Sequence, residues 1–169
     1  GYVGDVGSLP PNLGGLANNP GGMATWDGPY VTDDFSADGS NTEYGFDAWG
    51  QAYSYSGGLT ITSNGGPTSL TRRIAISTTD LFQNRVSAVV VDLDFTPPGP
   101  IFRDSVRFAV IYPDGAGGLT TEERTPAADG LAEFENVPIG IHDLRLIYLP
   151  NNDTLRRLVN VDPGEDYYA

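Results

Sequence analysis

The chain has 169 residues, 39% of them hydrophobic, enough apolar material for one ordinary domain or two small ones. Its formal net charge is -13 and all nine basic residues are arginine, which argues against nucleic acid and anionic membranes as partners. Cysteine is absent, excluding disulfides and thiol chemistry, and no stretch reaches the ~20 apolar residues of a membrane helix.

With 22 glycines and 13 prolines, turns and strands should outnumber helices. Near the start, Ser8 is placed to cap a short helix with Pro10 and Pro11 in its first turn. Leu9, Leu13 and Leu16 then lie on one face, and Asn18–Gly22 ends the run. Residues 31–47 form an acidic loop carrying Asp33, Asp34, Asp38, Glu43 and Asp47. Hard cations take oxygen ligands from loops of this composition, so calcium is the candidate ion here, against a solvated loop without one. In Asp47-Ala48-Trp49-Gly50-Gln51-Ala52-Tyr53, the glycine permits a turn and Asp47 can accept from backbone N–H groups inside it. Asp47, Trp49, Gly50 and Tyr53 are thus expected to form a structural turn, with Trp49 buried to pin the loop. Tyr53–Tyr55, Leu59–Thr62 and Thr71–Ser77 read as strands separated by Gly-Gly and Asn-Gly-Gly turns. Arg72 and Arg73 read as a solvated strand edge, and Asp80–Gln83 as a short turn linking two halves.

From Arg85 the pattern becomes one of evenly spaced strands. Val86 to Val90, Ser105–Tyr112, Leu119–Thr125, Ala132–Phe134, Ile141–Leu149 and Leu155–Val161 are the candidates, with Pro113-Asp114-Gly115 as a turn. Such spacing predicts a β-sandwich.

Three motifs in the first half carry a family resemblance. Asp47–Tyr53 resembles the Asp-Pro-Trp-Gly-x-x-Tyr signature of type II secretion major pseudopilins and related type IV pilin-like proteins, with Ala48 where the family usually has proline. Asp5-Val6-Gly7-Ser8-Leu9-Pro10 is similar to their Asp-x-Gly-x-x-Pro opening. Asn19-Pro20-Gly21-Gly22 followed by Trp26-Asp27-Gly28-Pro29-Tyr30 is similar to their Trp-x-Gly-Pro-Tyr turn. In the second half, Phe134–Leu146 resembles the Phe-x-x-Leu-Pro-x-Gly-x-Tyr-x-Leu run of carboxypeptidase-regulatory-like and transthyretin-like sandwiches, with Val161–Glu165 similar to their closing strand.

Together the resemblances imply an α+β chain. A pilin-like globular domain over residues 1–82, a short helix on a small antiparallel sheet, would precede an all-β sandwich over residues 83–169. They further imply a non-enzymatic subunit of a secretion system or surface filament, periplasmic or extracellular. Its partners would be other pilin-like subunits and secretion-system proteins, and its only membrane contact an N-terminal hydrophobic helix not present in this sequence. The family's calcium site falls on Thr62-Ser63-Asn64-Gly65-Gly66, which has no carboxylate, so that site is not carried over. The rival functions are a free-standing extracellular module binding carbohydrate or protein, and a hydrolase with an unrecognised site.

The residues themselves offer little to catalysis. His142 is the only histidine, and its parity with Leu144 and Leu146 reads as packing; no Gly-x-Ser-x-Gly elbow accompanies it. Trp26, Tyr30 and Trp49 could line a sugar site, although loop-pinning is the commoner use of such side chains.

Overall fold

The computed structural model describes residues 1–32 and 43–169. The chain is α+β, mostly sheet, with more than one sheet. In order, its elements are α1 (Tyr2–Val6), α2 (Gly14–Ala17), β1 (Thr60–Ser63), β2 (Leu70–Arg73), α3 (Thr78–Phe82), β3 (Asn84–Val89), α4 (Gly99–Phe102), β4 (Val106–Pro113), β5 (Leu119–Arg124), β6 (Leu131–Val137), β7 (Gly140–Tyr148), β8 (Asp153–Val161) and β9 (Tyr167–Tyr168). Among the described residues no helix is long and apolar enough to cross a membrane.

After α3 the chain builds two sheets. One runs β6-β3-β9, with β3 antiparallel to β6 and parallel to β9; the other is fully antiparallel and runs β5-β4-β7-β8. The period-2 alternation of strand side chains sends Val86 and Ala88 from β3, Phe108 and Val110 from β4, Ala132 and Phe134 from β6, Leu144 from β7, and Val159 and Val161 from β8 into one shared core. Two sheets closing over a common apolar layer is the arrangement a β-sandwich requires. Phe134 is fully buried at its centre. Asn84 ties the last turn to the first strand: its amide donates to the Val137 carbonyl (3.1 Å) and its oxygen accepts from Gly164 N–H (2.8 Å).

Ahead of α3, β1 and β2 form a separate hairpin, and among the described residues no sheet spans the 82/83 boundary. The helix expected from Ser8 is only the single turn of α2. It begins after Leu13, with no side-chain cap, because Gly14 and Gly15 favour no longer run. α1 is not signalled by the sequence, whose Gly4 and Gly7 weaken a helix. It forms where Tyr2 and Val6 are buried, and it packs on β4 and β7 rather than on the hairpin. Gly4 lies against the backbone of Ile139 and Gly140. A Cβ on Gly4 would stand 3.1 Å from the Gly140 Cα, and one on Gly140 (φ +133) 2.6 Å from the Gly4 Cα.

Candidate functional site

The turn at Asp47 is the first candidate. Its carboxylate is buried and gathers four donors. Oδ1 accepts from the N–H groups of Trp49 (3.1 Å) and Gln51 (2.9 Å); Oδ2 accepts from the Ser63 hydroxyl (2.6 Å) and Gly65 N–H (2.8 Å). The expected acceptance inside the turn is therefore present, and Ser63 and Gly65 join it from the hairpin. These bonds, the Ser63 hydroxyl foremost, hold the carboxyl down at about 2, below its usual 3.8. Gly65 is the close approach that makes this possible: a Cβ there would meet both Asp47 oxygens and the Trp49 Cβ at 2.7 Å. Gly50 adopts φ +75, as the turn requires. Tyr53 N–H donates to the Gly45 carbonyl (2.9 Å), closing the far side.

Trp49 departs from expectation. It is 56% exposed, its ring lying over Gly66 instead of entering a core, because the turn packs on a two-stranded hairpin with no second sheet over it among the described residues. Of the proposed calcium ligands, Asp33, Asp34 and Asp38 lie outside the described residues. Glu43 opens a 3-10 turn over Glu43–Gly45. The four lone-pair directions of Asp47 are already taken by donors, so this carboxylate is suited to ordering backbone and not to ligating an ion.

The Trp26–Tyr30 turn is likewise consumed in structure. Trp26 Nε1 donates to the Gly15 carbonyl (3.1 Å), and the Tyr30 hydroxyl donates to Asp5 (2.7 Å) while accepting from Asp27 N–H (3.1 Å). Burial, with help from Asp5, pushes the Tyr30 hydroxyl up to about 12. Trp26 meets Tyr30 edge-on at 5.6 Å with planes at 81°, so the two present no flat platform for a sugar ring, and Trp49 sits apart from them over Gly66. A cis peptide joins Gly28 and Pro29.

His142 is buried, and its Nε2–H donates to the Pro138 carbonyl at 2.7 Å beside the Tyr112 ring. Burial lowers its pKa below the usual 6.5. It is a packed core histidine, as its parity indicates. On the opposite face of β7, Asp143 is buried to within 9% of full enclosure between two arginines. Arg145 donates from Nε (3.0 Å) and a terminal nitrogen (2.8 Å), and Arg156 from Nε (2.7 Å). Sequence reading missed this clamp because its members come from two strands.

Two hollows mark the surface. A cleft of about 580 Å³ lies between α1, the segment after β2 and the end of β8, with Tyr2, Ile74, Ile76 and Val161 on its walls and Asp80 and Asp162 at its polar side. At the other end of the sandwich, the segment between β3 and β4 holds Leu93 at 99% and Phe95 at 84% exposure, beside an apolar hollow lined by Val90, Phe102, Val106 and Tyr148. Comparison with known protein families, characterised proteins and solved structures returns no match for this chain.

Proposed function

We propose that the chain is a non-enzymatic structural subunit of a bacterial type II secretion or surface-filament system, working in the periplasm or at the cell surface among other pilin-like subunits. The supporting observation is how the residues that resemble the pseudopilin motifs are used: Trp26, Tyr30 and Asp47 each bond backbone of a turn, and Asp5 accepts from the Tyr30 hydroxyl, so their polar atoms serve to hold the fold. In this reading residues 1–82 are the pilin-like head, and the carboxypeptidase-regulatory-like sandwich of residues 83–169 is an accessory layer turned outward. The deciding test is the gene upstream of Gly1. A prepilin-type cleavage site followed by a hydrophobic helix supports the proposal; an ordinary cleaved signal peptide with no such helix overturns it.

Calcium enters this reading through the carboxylates at positions 33, 34, 38 and 43. An ion that binds only the folded form raises stability by about 2.7 kcal/mol at a hundredfold excess over its dissociation constant. Thermal melts in calcium, magnesium and sodium at matched ionic strength separate binding from screening. A calcium-specific rise, lost in Asp38→Asn, places the ion in the loop; equal midpoints remove it.

A second reading is favoured by the exposed Leu93 and Phe95 beside their apolar hollow: a free-standing extracellular module that holds a protein partner at that end of the sandwich. Leu93→Asp with Phe95→Asp would abolish partner binding in that reading and leave filament assembly intact in the first.

A further inference from the structure

The four-stranded sheet has two free edges, and their charges are complementary in the same register. Along one row of the ladder, Glu123 stands beside Ala109, Ala109 beside Arg145, and Arg145 beside Arg156. The adjacent row runs Glu122, Val110, Leu144, Arg157. An acidic pair on the edge strand β5 therefore shares its two rows with a basic pair on the opposite edge strand, β8. Both edges keep unbroken register, and neither strand contains proline. Among the described residues, neither makes a backbone–backbone hydrogen bond outside its sheet. Leu155 and Leu158, flanking the arginines, are 69% and 61% exposed.

Exposed edges of this kind normally carry a guard against pairing. Here the guard is selective. A two-fold pairing of β8 with β8 about its centre sets Arg157 against Arg157, and β5 with β5 about its centre sets Glu122 and Glu123 against Thr121 and Thr120 and gains no charge pair, whereas β8 on β5 sets both arginines against both glutamates. We propose that copies of this chain join head to tail, β8 of one against β5 of the next, so that the sheet continues from molecule to molecule.

The geometry of an even-stranded antiparallel sheet permits it. Strand direction alternates across β5, β4, β7 and β8, so β5 of an unrotated second copy runs antiparallel to β8. Outward-facing amides also alternate from row to row, and over four strands they fall in the same rows on both edges. The register that aligns the charges places Glu123 opposite Arg156, Glu122 opposite Arg157, and Thr121 opposite Leu158. Arg157 has no ion pair within its own molecule among the described residues, and Arg156 uses only its Nε on Asp143, leaving its terminal nitrogens for the neighbour. Glu122 is held by Arg124 and Tyr112 and Glu123 by Arg107, and each carboxylate retains further lone pairs with which to accept from a neighbour. Because the contact joins two different patches, it does not close on itself as a dimer does, and sheet twist turns each added copy into a helical array. The net charge of -13 opposes assembly at low salt; at physiological ionic strength that long-range repulsion is screened beyond about 8 Å while the contact pairs persist. This goes beyond the filament reading and does not rest on it: edge pairing can fail in this chain while a prepilin-type leader is found in the gene, and the reverse.

The test uses the absence of cysteine from the chain. In Thr121→Cys/Leu158→Cys, the two thiols of one molecule lie three strand spacings apart, roughly 14 Å, too far for an internal disulfide. Mild oxidation of concentrated protein at physiological salt is expected to give a ladder of disulfide-linked multimers beyond the dimer. Adding Arg157→Glu, at an exposed position, should cut the ladder at least tenfold, while Arg157→Lys retains it; circular dichroism of each variant verifies the fold. A ladder equally strong with Arg157→Glu, or no species beyond the dimer in the double-cysteine chain, overturns the proposal.

Discussion

Residues 84–161 bury apolar side chains against one another between two sheets, whereas residues 43–73 are organised around one carboxylate and the glycines that let backbone approach it. The difference is one of layers. A strand pair without a second sheet has nothing to bury against, so its stability must come from directed hydrogen bonds and turn chemistry. Side chains of the same kind then meet opposite fates: Phe134 vanishes into the sandwich while Trp49 stays half in water.

The largest effect expected from this contrast is at Phe134. Phe134→Ala should cost about 3–5 kcal/mol, read by urea unfolding at fixed temperature. A cost near that of a surface site would mean the two sheets do not share the core described. Gly65→Ala comes next, at about 1–3 kcal/mol, because its Cβ has no room between the Asp47 oxygens and Trp49. Its damage should be local, seen as faster amide exchange at Trp49, Gln51 and Gly65 with the sandwich amides unchanged. Equal loosening in both regions would show that they unfold as one unit.

Acid should separate the two regions along the pH axis. His142 has a lowered pKa, so the unfolded chain binds its proton more readily. The sandwich's stability from this residue is complete above pH 6.5 and declines as pH falls below it. Asp47, also lowered, contributes fully above its usual 3.8, and its contribution disappears only as pH falls toward about 2. Amide exchange followed from pH 7 to 2 should thus show the sandwich weakening first and the Asp47 turn last, and His142→Gln should remove the early phase. The smallest effect is expected at Trp49: Trp49→Ala should cost about 1 kcal/mol, since half of the ring is already in water. A loss comparable to that of Phe134→Ala would sharpen the comparison in the other direction, marking the hairpin as a true core.

Much of the second half is legible because β3, β4, β6 and β7 send alternate apolar residues into the core, so alternation alone places Val86, Phe108, Val110, Phe134 and Leu144 inward. The short parallel strand β9 is not, since two residues carry no period. Nor is α1, whose helical form comes from the burial of Tyr2 and Val6 against distant strands and not from its own glycine-bearing sequence. At the Asp47 turn, the local bonds to Trp49 and Gln51 could be read from spacing. The bonds from Ser63 and Gly65 could not, because they depend on how the hairpin folds back. Exposure of Trp49 is the same kind of fact: the sequence names the ring, and only its seat over Gly66 on the two-stranded hairpin decides which side of it meets water. The matched rows of Glu122 with Arg157 and Glu123 with Arg156 are invisible for a related reason, since they exist only once four strands fix their register.

The contact between Gly4 and Gly140 has a genetic consequence. A Cβ at Gly140 cannot fit without moving the Gly4 backbone, and one at Gly4 needs a shift of a few tenths of an ångström from Gly140, so an alanine at either displaces α1 from the end of β7. Once the first substitution has opened that gap, the second finds the space it needs as regards crowding, and only the backbone penalty of φ +133 at residue 140 is new. In a saturation scan both sites should appear almost intolerant, yet Gly4→Ala with Gly140→Ala should score far better than the sum of the two singles. Such positive epistasis would link the first turn of the chain to a strand whose sequence lies well over a hundred residues downstream, and it would register the docking of α1 on β7 in the genotype alone.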